Sequence, residues 1–405
     1  MTSKCCYFCC DPDVKLVKCG DCPIEGCSAH LGLHTRGGGC QPWRVATVEG
    51  AGRGLIAARD IWAGELVLRD WPVVEGPLPD SGDSVCVVCL GGEEVLPCPV
   101  CSLPVCKSRQ KGCKNQHKKE CDVMGEKGDI KTVSRDNLYT IVAVLRLLWE
   151  MERDPNIRSL LDPLMDHKEL IQEEESRQNV VKFLSDRNHE PELVWRCLGL
   201  LQTNGVTSHS VSGVATGHGL YPVFSVTNHS CVANTRHATV DSDTFCLLAV
   251  VDIKAGQEIT TSYKSSSLGS IVRRPPFKQL WNFDCRCRRC SDPTELGTQA
   301  SSIRCPVWRC PGYCLPLDCL VYTSDWKCDK CGHILAADEA IDITERVQGL
   351  YKEGGTALED MERTLERILE KVHSRHYIAM QVKRMLMLMY GNCKTHRYSD
   401  AISQQ

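Results

Sequence analysis

Residues 225–234 read SVTNHSCVAN, and the chain around them is apolar. GLYPVF (219–224) runs into this segment, and FCLLAVVDI (245–253) follows it and reads as a buried strand. Asn228, His229, Ser230, Cys231 and Asn234 are groups that a protein interior accepts only when each has a partner. Those partners have to come from elsewhere in the chain, and the search for them leads first to cysteine.

The chain holds 28 cysteines in 405 residues. Pairs with two residues between them recur at Cys6/Cys9, Cys19/Cys22, Cys86/Cys89, Cys98/Cys101 and Cys328/Cys331. Thiolates so spaced on tight turns converge on one cation, and Zn²⁺ takes four such ligands tetrahedrally. MTSKCCYFCCDPD lacks an apolar leader, so we expect zinc rather than disulfides and a reducing nucleus or cytoplasm. The net charge of −3 excludes a strongly basic chain, so nucleic acid is not expected as the main partner. Apolar runs such as YTIVAVLRLLW fall short of the roughly 20 residues that span a bilayer, so no membrane segment is expected.

Four clusters follow along the chain. The first (5–40) offers Cys6, Cys9, Cys19, Cys22, Cys27, His30, His34 and Cys40, with Cys5 and Cys10 leaving the register of its first pair open. The second (86–121) offers Cys86, Cys89, Cys98, Cys101, Cys106, Cys113, His117 and Cys121. Eight ligands make two zinc sites, and the order predicts interleaving: pairs one and three share a metal, as do pairs two and four. Such short segments cannot fold on apolar burial alone, so metal would supply most of their folding energy. The third, FDCRCRRCSD, gives Cys285, Cys287 and Cys290, one ligand short; solvent or a distant residue completes it. The fourth reads as a zinc ribbon of Cys305, Cys310, Cys328 and Cys331, with Cys314 an equal alternative to Cys310. Cys197, Cys246 and Cys393 stand alone in apolar surroundings and read as structural.

Between the clusters, WRVATVEGAGRGLIAARDIWAGELVLRDWPVV reads as turn, strand, turn, strand. Gly50, Gly52 and Gly54 either admit a ligand close to the backbone or merely enter a tight hairpin. Residues 130–203 read as helical, with Leu138, Ile141, Val142, Leu145, Leu148 and Trp149 at helical spacing and Asn204-Gly205 as a stop. Residues 218–263 return to strands, where DIKAGQEITTSY repeats the logic of DIWAGELVL. After residue 340 the chain reads as paired helices. The basic stretches RRPPFK and RQKGCKNQHKK read as solvated faces.

GRGL, NHSC, EITTSY and FDCRCRRC, in that order and with an eight-ligand finger after the first, closely resemble the SMYD family of SET-domain lysine methyltransferases. The second cluster resembles the MYND zinc finger, although its third pair is spaced more widely than is usual there. The extra N-terminal finger and the ribbon are similar to arthropod SMYD-like proteins. The resemblance implies an α+β fold: a β-rich SET domain split by a MYND finger and a helical insert, followed by a post-SET zinc site, a zinc ribbon and a helical C-terminal region. The implied boundaries are an N-terminal MYND-like finger at 1–42 and the first SET part at 43–85. A MYND finger (86–121), a helical insert (122–217) and the SET core (218–264) follow. A post-SET motif (265–292), a ribbon (293–340) and a helical domain (341–405) complete the chain.

It further implies S-adenosylmethionine held by Arg53, Gly54, Leu55, Asn204, Ser225, Asn228, His229, Tyr263 and Phe283, with Tyr263 catalytic. Cys231 then becomes the fourth ligand beside Cys285, Cys287 and Cys290. The implied activity is methylation of lysines in histone or non-histone proteins by a monomeric chromatin regulator that binds protein partners through its fingers. Two positions depart from the pattern of the lysine channel: Trp281 stands where Tyr is common, and Val206 where an aromatic is common. They favour the rival reading, a non-catalytic scaffold in transcriptional regulation.

Overall fold

The computed structural model describes residues 15–18, 25–27, 42–79, 82, 84–91, 94–107, 116–125, 133–209, 215–239 and 244–390. The chain divides into two compact units, Met1–Asn228 with Ala233–Thr261, and His229–Val232 with Ser262–Gln405. Each is described by itself.

The first unit opens with β1 (Leu16–Lys18) paired antiparallel to β2 (Glu25–Cys27). Next, β3 (Trp43–Val48) and β4 (Gly52–Ala57) form a hairpin in register Trp43↔Ala57 to Val48↔Gly52. Its turn needs left-handed backbone at Gly50 (φ 72°) and Gly52 (φ 76°), which glycine adopts without a Cβ clash. Then come β5 (Leu66–Asp70), β6 (Val74–Pro77), β7 (Val95–Pro97) and β8 (Pro104–Cys106). The helical insert comprises α1 (Lys118–Gly125), α2 (Arg135–Arg153), α3 (Pro155–Leu161), α4 (Glu175–Ser185) and α5 (Pro191–Asn204). Strands β9 (Gly205–His209), β10 (Ala215–Leu220), β11 (Asn228–His229), β12 (Thr235–Thr239), β13 (Phe245–Ala249) and β14 (Glu258–Thr261) follow.

Besides the β1–β2 and β7–β8 pairs, the described residues form three small antiparallel sheets: β6–β10–β9, β12–β13–β5, and β14 laid on β4 through Glu258↔Ile56 and Ile259↔Leu55. Leu55, Ile61, Leu68, Phe245, Leu247, Ile253 and Ile259 form the core between strands. The helical expectation for 130–203 holds, and α2 is buried far beyond one stripe, from Leu138 to Met151. Its Ala143 sits against Gly76 of β6, where any Cβ would lie 3.1 Å from the alanine methyl. At Gly205 the expected helix stop occurs by a different route from a left-handed cap. Its φ is −70°, and the chain runs straight into β9. Glycine is needed there because a Cβ would meet His218 Nε2 at 2.1 Å.

The two Asp-Ile-x-Ala-Gly turns prove to be partners. Ile61 and Ile253 exchange both backbone hydrogen bonds at 2.8 Å. Ala255 N–H donates to Asp60 Oδ1 and Ala63 N–H to Asp252 Oδ1, each at 2.9 Å. Gly64 and Gly256 turn with matching positive φ of 85° and 84°.

In the second unit α6 (Ser270–Arg273) and α7 (Pro275–Trp281) lead to a four-stranded sheet of β15 (Ile303–Arg304), β16 (Tyr313–Pro316), β17 (Trp326–Cys328) and β18 (Ile334–Leu335) in sequential order. Helices α8 (Ala337–Glu353), α9 (Leu358–Leu369) and α10 (Tyr377–Tyr390) pack around Val347, Ile368, Ile378 and Val382. No helix among the described residues is long and apolar enough to cross a membrane.

Asp70, at the end of β5, fixes the turn that precedes the 225–234 segment. Its Oδ2 accepts the N–H groups of Val223 and Phe224, each at 2.9 Å. Burial outweighs those hydrogen bonds and pushes its pKa up from 3.8 to about 6. The folded state thus keeps a proton that the unfolded chain releases between these values. The associated stability is complete below the lower value and is lost as pH rises through the upper one, by at most about 1.4 kcal/mol per unit. Denaturant titrations between about pH 4.5 and 6.5 should show the wild type losing stability relative to Asp70→Asn as pH rises. Parallel curves would refute the assignment.

Candidate functional site

Four groups of metal-ligating side chains stand among the described residues, each with its donor atoms mutually within 4.8 Å. Cys86, Cys89 and Cys106 form the first, and Cys98, Cys101, His117 and Cys121 the second. This is the interleaving predicted from the order of ligands; Cys113 lies outside the described residues. The third is Cys231 with Cys285, Cys287 and Cys290, and the fourth Cys305, Cys310, Cys328 and Cys331.

A Zn–S bond of about 2.3 Å makes the edge of a tetrahedron about 3.8 Å. Observed S···S separations are 3.9 Å (Cys231–Cys285), 3.5 Å (Cys231–Cys290), 3.6 Å (Cys305–Cys331), 3.7 Å (Cys310–Cys328) and 3.9 Å (Cys98–Cys121). These thiols are free, and their spacing fits zinc and not a disulfide. The open choice in the ribbon falls to Cys310, whose sulfur lies 3.7 Å from Cys328 Sγ and within 4.8 Å of the other two, a group to which Cys314 does not belong. Cys197 and Cys246 are buried as expected, and burial pushes the Cys197 thiol up to about 12, which makes it inert. Cys6, Cys9, Cys19, Cys22, His30, His34, Cys40 and Cys393 lie outside the described residues, as does the Cys27 side chain.

The quoted segment finds its partners within each unit. In the first, Asn228 Nδ2 donates to Arg53 O (3.1 Å) and Glu258 Oε1 (2.8 Å), leaving Oδ1 as the amide's acceptor for a ligand. Gly54 is glycine for this reason: a Cβ would stand 2.7 Å from Asn228 Nδ2. Arg53 reaches the Pro163 carbonyl, and Leu55 is fully buried, so only its backbone is open to a ligand. Asn204 Nδ2 donates to Met165 O (2.8 Å), and Ser225 Oγ to Tyr221 O (2.7 Å). Val206 packs partly buried against the strand core.

The sequence itself names no partner for Asn234. Its amide pairs with β14 as another strand would: Oδ1 accepts from Thr260 N and Nδ2 donates to Glu258 O, both at 2.8 Å. Only an Asn beside the end of a strand hints at such a role.

In the second unit His229 Nδ1 accepts the N–H of Tyr263 at 3.0 Å, while Nε2 lies 3.2 Å from Cys231 Sγ. Both ring nitrogens are thus used inside the protein, which leaves the His229 backbone to meet a ligand. Burial lowers the His229 pKa to about 4, so the ring is neutral, and with Nδ1 accepting, its proton sits on Nε2. The ring lies 4.3 Å from Phe277, which stacks on Phe283 at 5.2 Å and 16°. Tyr263 stands 5.2 Å from Trp281 and meets Phe283 edge-on at 6.3 Å. Phe277 and Arg273 went unrecognised because RRPPFK read as a solvated face. Arg273 and Arg274 are instead 0% and 3% exposed, a correction that removes this stretch from any nucleic-acid reading.

Comparison with known proteins gives a match to the SET domain family over residues 52–264. The Drosophila melanogaster SET domain-containing protein SmydA-8, isoform A, is 31% identical over 317 residues, covering 72% of this chain and 65% of that protein. Human histone-lysine N-methyltransferase SMYD1 is 27% identical over 275 residues, 61% of this chain and 55% of its own length. Arabidopsis thaliana histone-lysine N-methyltransferase ASHR1 is 23% identical over 377 residues, 84% and 75% respectively. The chain thus spans less than two thirds of the first two of these relatives.

The ligand sets have a direct check in metal analysis by mass spectrometry. Cys231→Ser should lower bound zinc by about one equivalent, whereas Cys314→Ser should leave it unchanged. The reverse result would reassign both sites.

Proposed function

The chain belongs to the SET-domain family, within its SMYD-like group, and on that footing we propose that it is an S-adenosylmethionine-dependent protein-lysine N-methyltransferase. The observation that carries this reading is Tyr263, its backbone held by His229 and its ring set among Trp281 and Phe283. The donor groups also suit the cofactor. Aromatic faces favour a cation, and Asn228 Oδ1 is free to accept from an ammonium group. We assign cofactor contacts to Arg53, Gly54 and Leu55 through their backbone, to Asn204, Ser225 and Asn228, and to His229, Tyr263 and Phe283.

When bound, the cofactor supplies an electrophilic sulfonium methyl. The chain's own task is to deliver a neutral amine in line with it. A lysine in water is almost wholly protonated, with a pKa near 10.4. Apolar walls such as Trp281 and Phe283 disfavour the charged form and lower that value. Alignment and exclusion of water then provide most of the acceleration. Tyr263 orients the amine through its hydroxyl; its own unperturbed pKa near 10 makes it a poor general base at neutral pH.

Substrates are proposed to be histone or non-histone proteins, with the 86–121 finger docking protein partners and the chain acting as a monomer in nucleus or cytoplasm. The scaffold reading keeps one supporting observation: Val206 is packed into the strand core in place of a channel aromatic.

Purified protein should bind S-adenosylmethionine by calorimetry and transfer a labelled methyl group to lysine in a protein substrate. Tyr263→Phe should retain binding and lose about 100-fold or more in transfer. Binding without transfer to any protein would favour the scaffold, and absence of binding would overturn the methyltransferase reading.

A further inference from the structure

The third cysteine cluster is surrounded by charge that the methyl-transfer reading leaves unused. Arg273 is fully buried. Its Nε lies 3.1 Å from Cys231 Sγ and its Nη2 3.7 Å from Cys290 Sγ. Its Nη1 donates to the Leu268 carbonyl and, at 3.1 Å, to Glu295 Oε2. Glu295, 1% exposed, also receives Arg289 Nε at 3.0 Å, Ser270 N at 2.8 Å and Ser301 Oγ at 2.6 Å. Two guanidinium groups against one carboxylate leave one net positive charge out of reach of water. Such a charge is tolerable only beside an anion. The thiolates are that anion, since zinc with four of them carries two net negative charges.

Cys231 is the sulfur on which these bonds converge. Because His229 Nδ1 accepts the Tyr263 N–H, Nε2 carries the ring proton and donates to Cys231 Sγ. Arg273 Nε–H donates to the same atom. Two N–H donors within 3.2 Å make this sulfur an acceptor, as a metal-bound thiolate is. Hydrogen bonds to ligand atoms orient the ligands and tune metal affinity.

We propose that Arg273 is a positioning residue for Tyr263, acting through the Cys231 thiolate and the His229 imidazole. The chain of contacts runs Arg273 Nε to Cys231 Sγ, then His229 Nε2, then His229 Nδ1 to Tyr263 N–H. Removing Arg273 withdraws the compensating charge from the cluster, weakens its grip on zinc and frees the imidazole that holds the Tyr263 backbone. The catalytic meaning of this linkage rests on the methyltransferase reading; the linkage itself does not.

The test uses the full chain carrying Arg273→Met, which keeps length and removes all donors, and Arg273→Lys, which keeps charge but not the fork. Two readouts apply: N-ethylmaleimide labelling of Cys285, Cys287 and Cys290 mapped by mass spectrometry, and amide hydrogen exchange of the peptide containing Tyr263. Cys305 and Cys328 serve as an internal reference for intact folding. Arg273→Met should speed labelling of the first set by about tenfold or more and accelerate exchange at Tyr263, with the reference unchanged and Arg273→Lys intermediate. Unchanged labelling overturns the proposal, and so does faster labelling with no change at Tyr263. Should Arg273→Met fail to fold, Arg273→Lys decides by the same criteria. Neither readout involves methyl transfer, so a chain lacking that activity would fail the earlier reading and leave this one testable.

Discussion

A single sulfur atom, Cys231 Sγ, carries the most demanding physical constraint in the second unit. It lies in a four-thiol cluster and accepts hydrogen bonds from a buried guanidinium and a neutral imidazole. None of these groups is tolerable alone in a low-dielectric interior. A lone arginine there would lack an anion, and four converging thiolates would repel one another without a cation. Together with zinc they become mutually compensating, and the arrangement fixes His229 in one tautomer. That tautomer leaves Nδ1 as an acceptor, which is what the Tyr263 N–H requires.

The first unit solves a comparable problem with backbone groups and short side-chain partners. Two Asp-Ile-x-Ala-Gly turns face one another, each aspartate accepting an N–H from the other's turn. Each glycine supplies the positive φ that lets the chain reverse. Asn234 extends the same principle by replacing a strand edge with a side-chain amide. Asn228 does so at Arg53, where the absence of a Cβ at Gly54 gives it room. The segment that began as an anomaly thus finds partners for Asn228, His229, Cys231 and Asn234, with Asn228 Oδ1 left over for chemistry.

Much of this was legible in the sequence because ligand spacing on tight turns is a local property. The interleaved pairs of the second cluster emerged as expected, and the apolar spacing from Leu138 to Trp149 lies on one long helix, whereas Cys231 joined its cluster only through the family resemblance. The repeated Asp-Ile-x-Ala-Gly motif was visible as two turns but not as a pair, because nothing local says that Ile61 will face Ile253. Arg273 and Arg274 were misread for the same reason. A basic hexapeptide looks solvated until its partners arrive from far along the chain, Cys231 and Glu295 for Arg273 and the Cys319 and Leu320 carbonyls for Arg274.

Sequence by itself determined the family, the zinc-ligand vocabulary and the alternation of strands and helices, since these depend on residue type and short spacing. Only the tertiary structure decided that Cys310 rather than Cys314 completes the ribbon, because only folding brings the Cys310 sulfur to within 4.8 Å of those of Cys305, Cys328 and Cys331. It also decided that the imidazole of His229 turns inward. Its Nε2 meets Cys231 nearby in the chain, but its Nδ1 answers to the N–H at position 263, and a hydrogen bond across that much chain exists only once folding has brought the donor and the acceptor to within about 3 Å of each other.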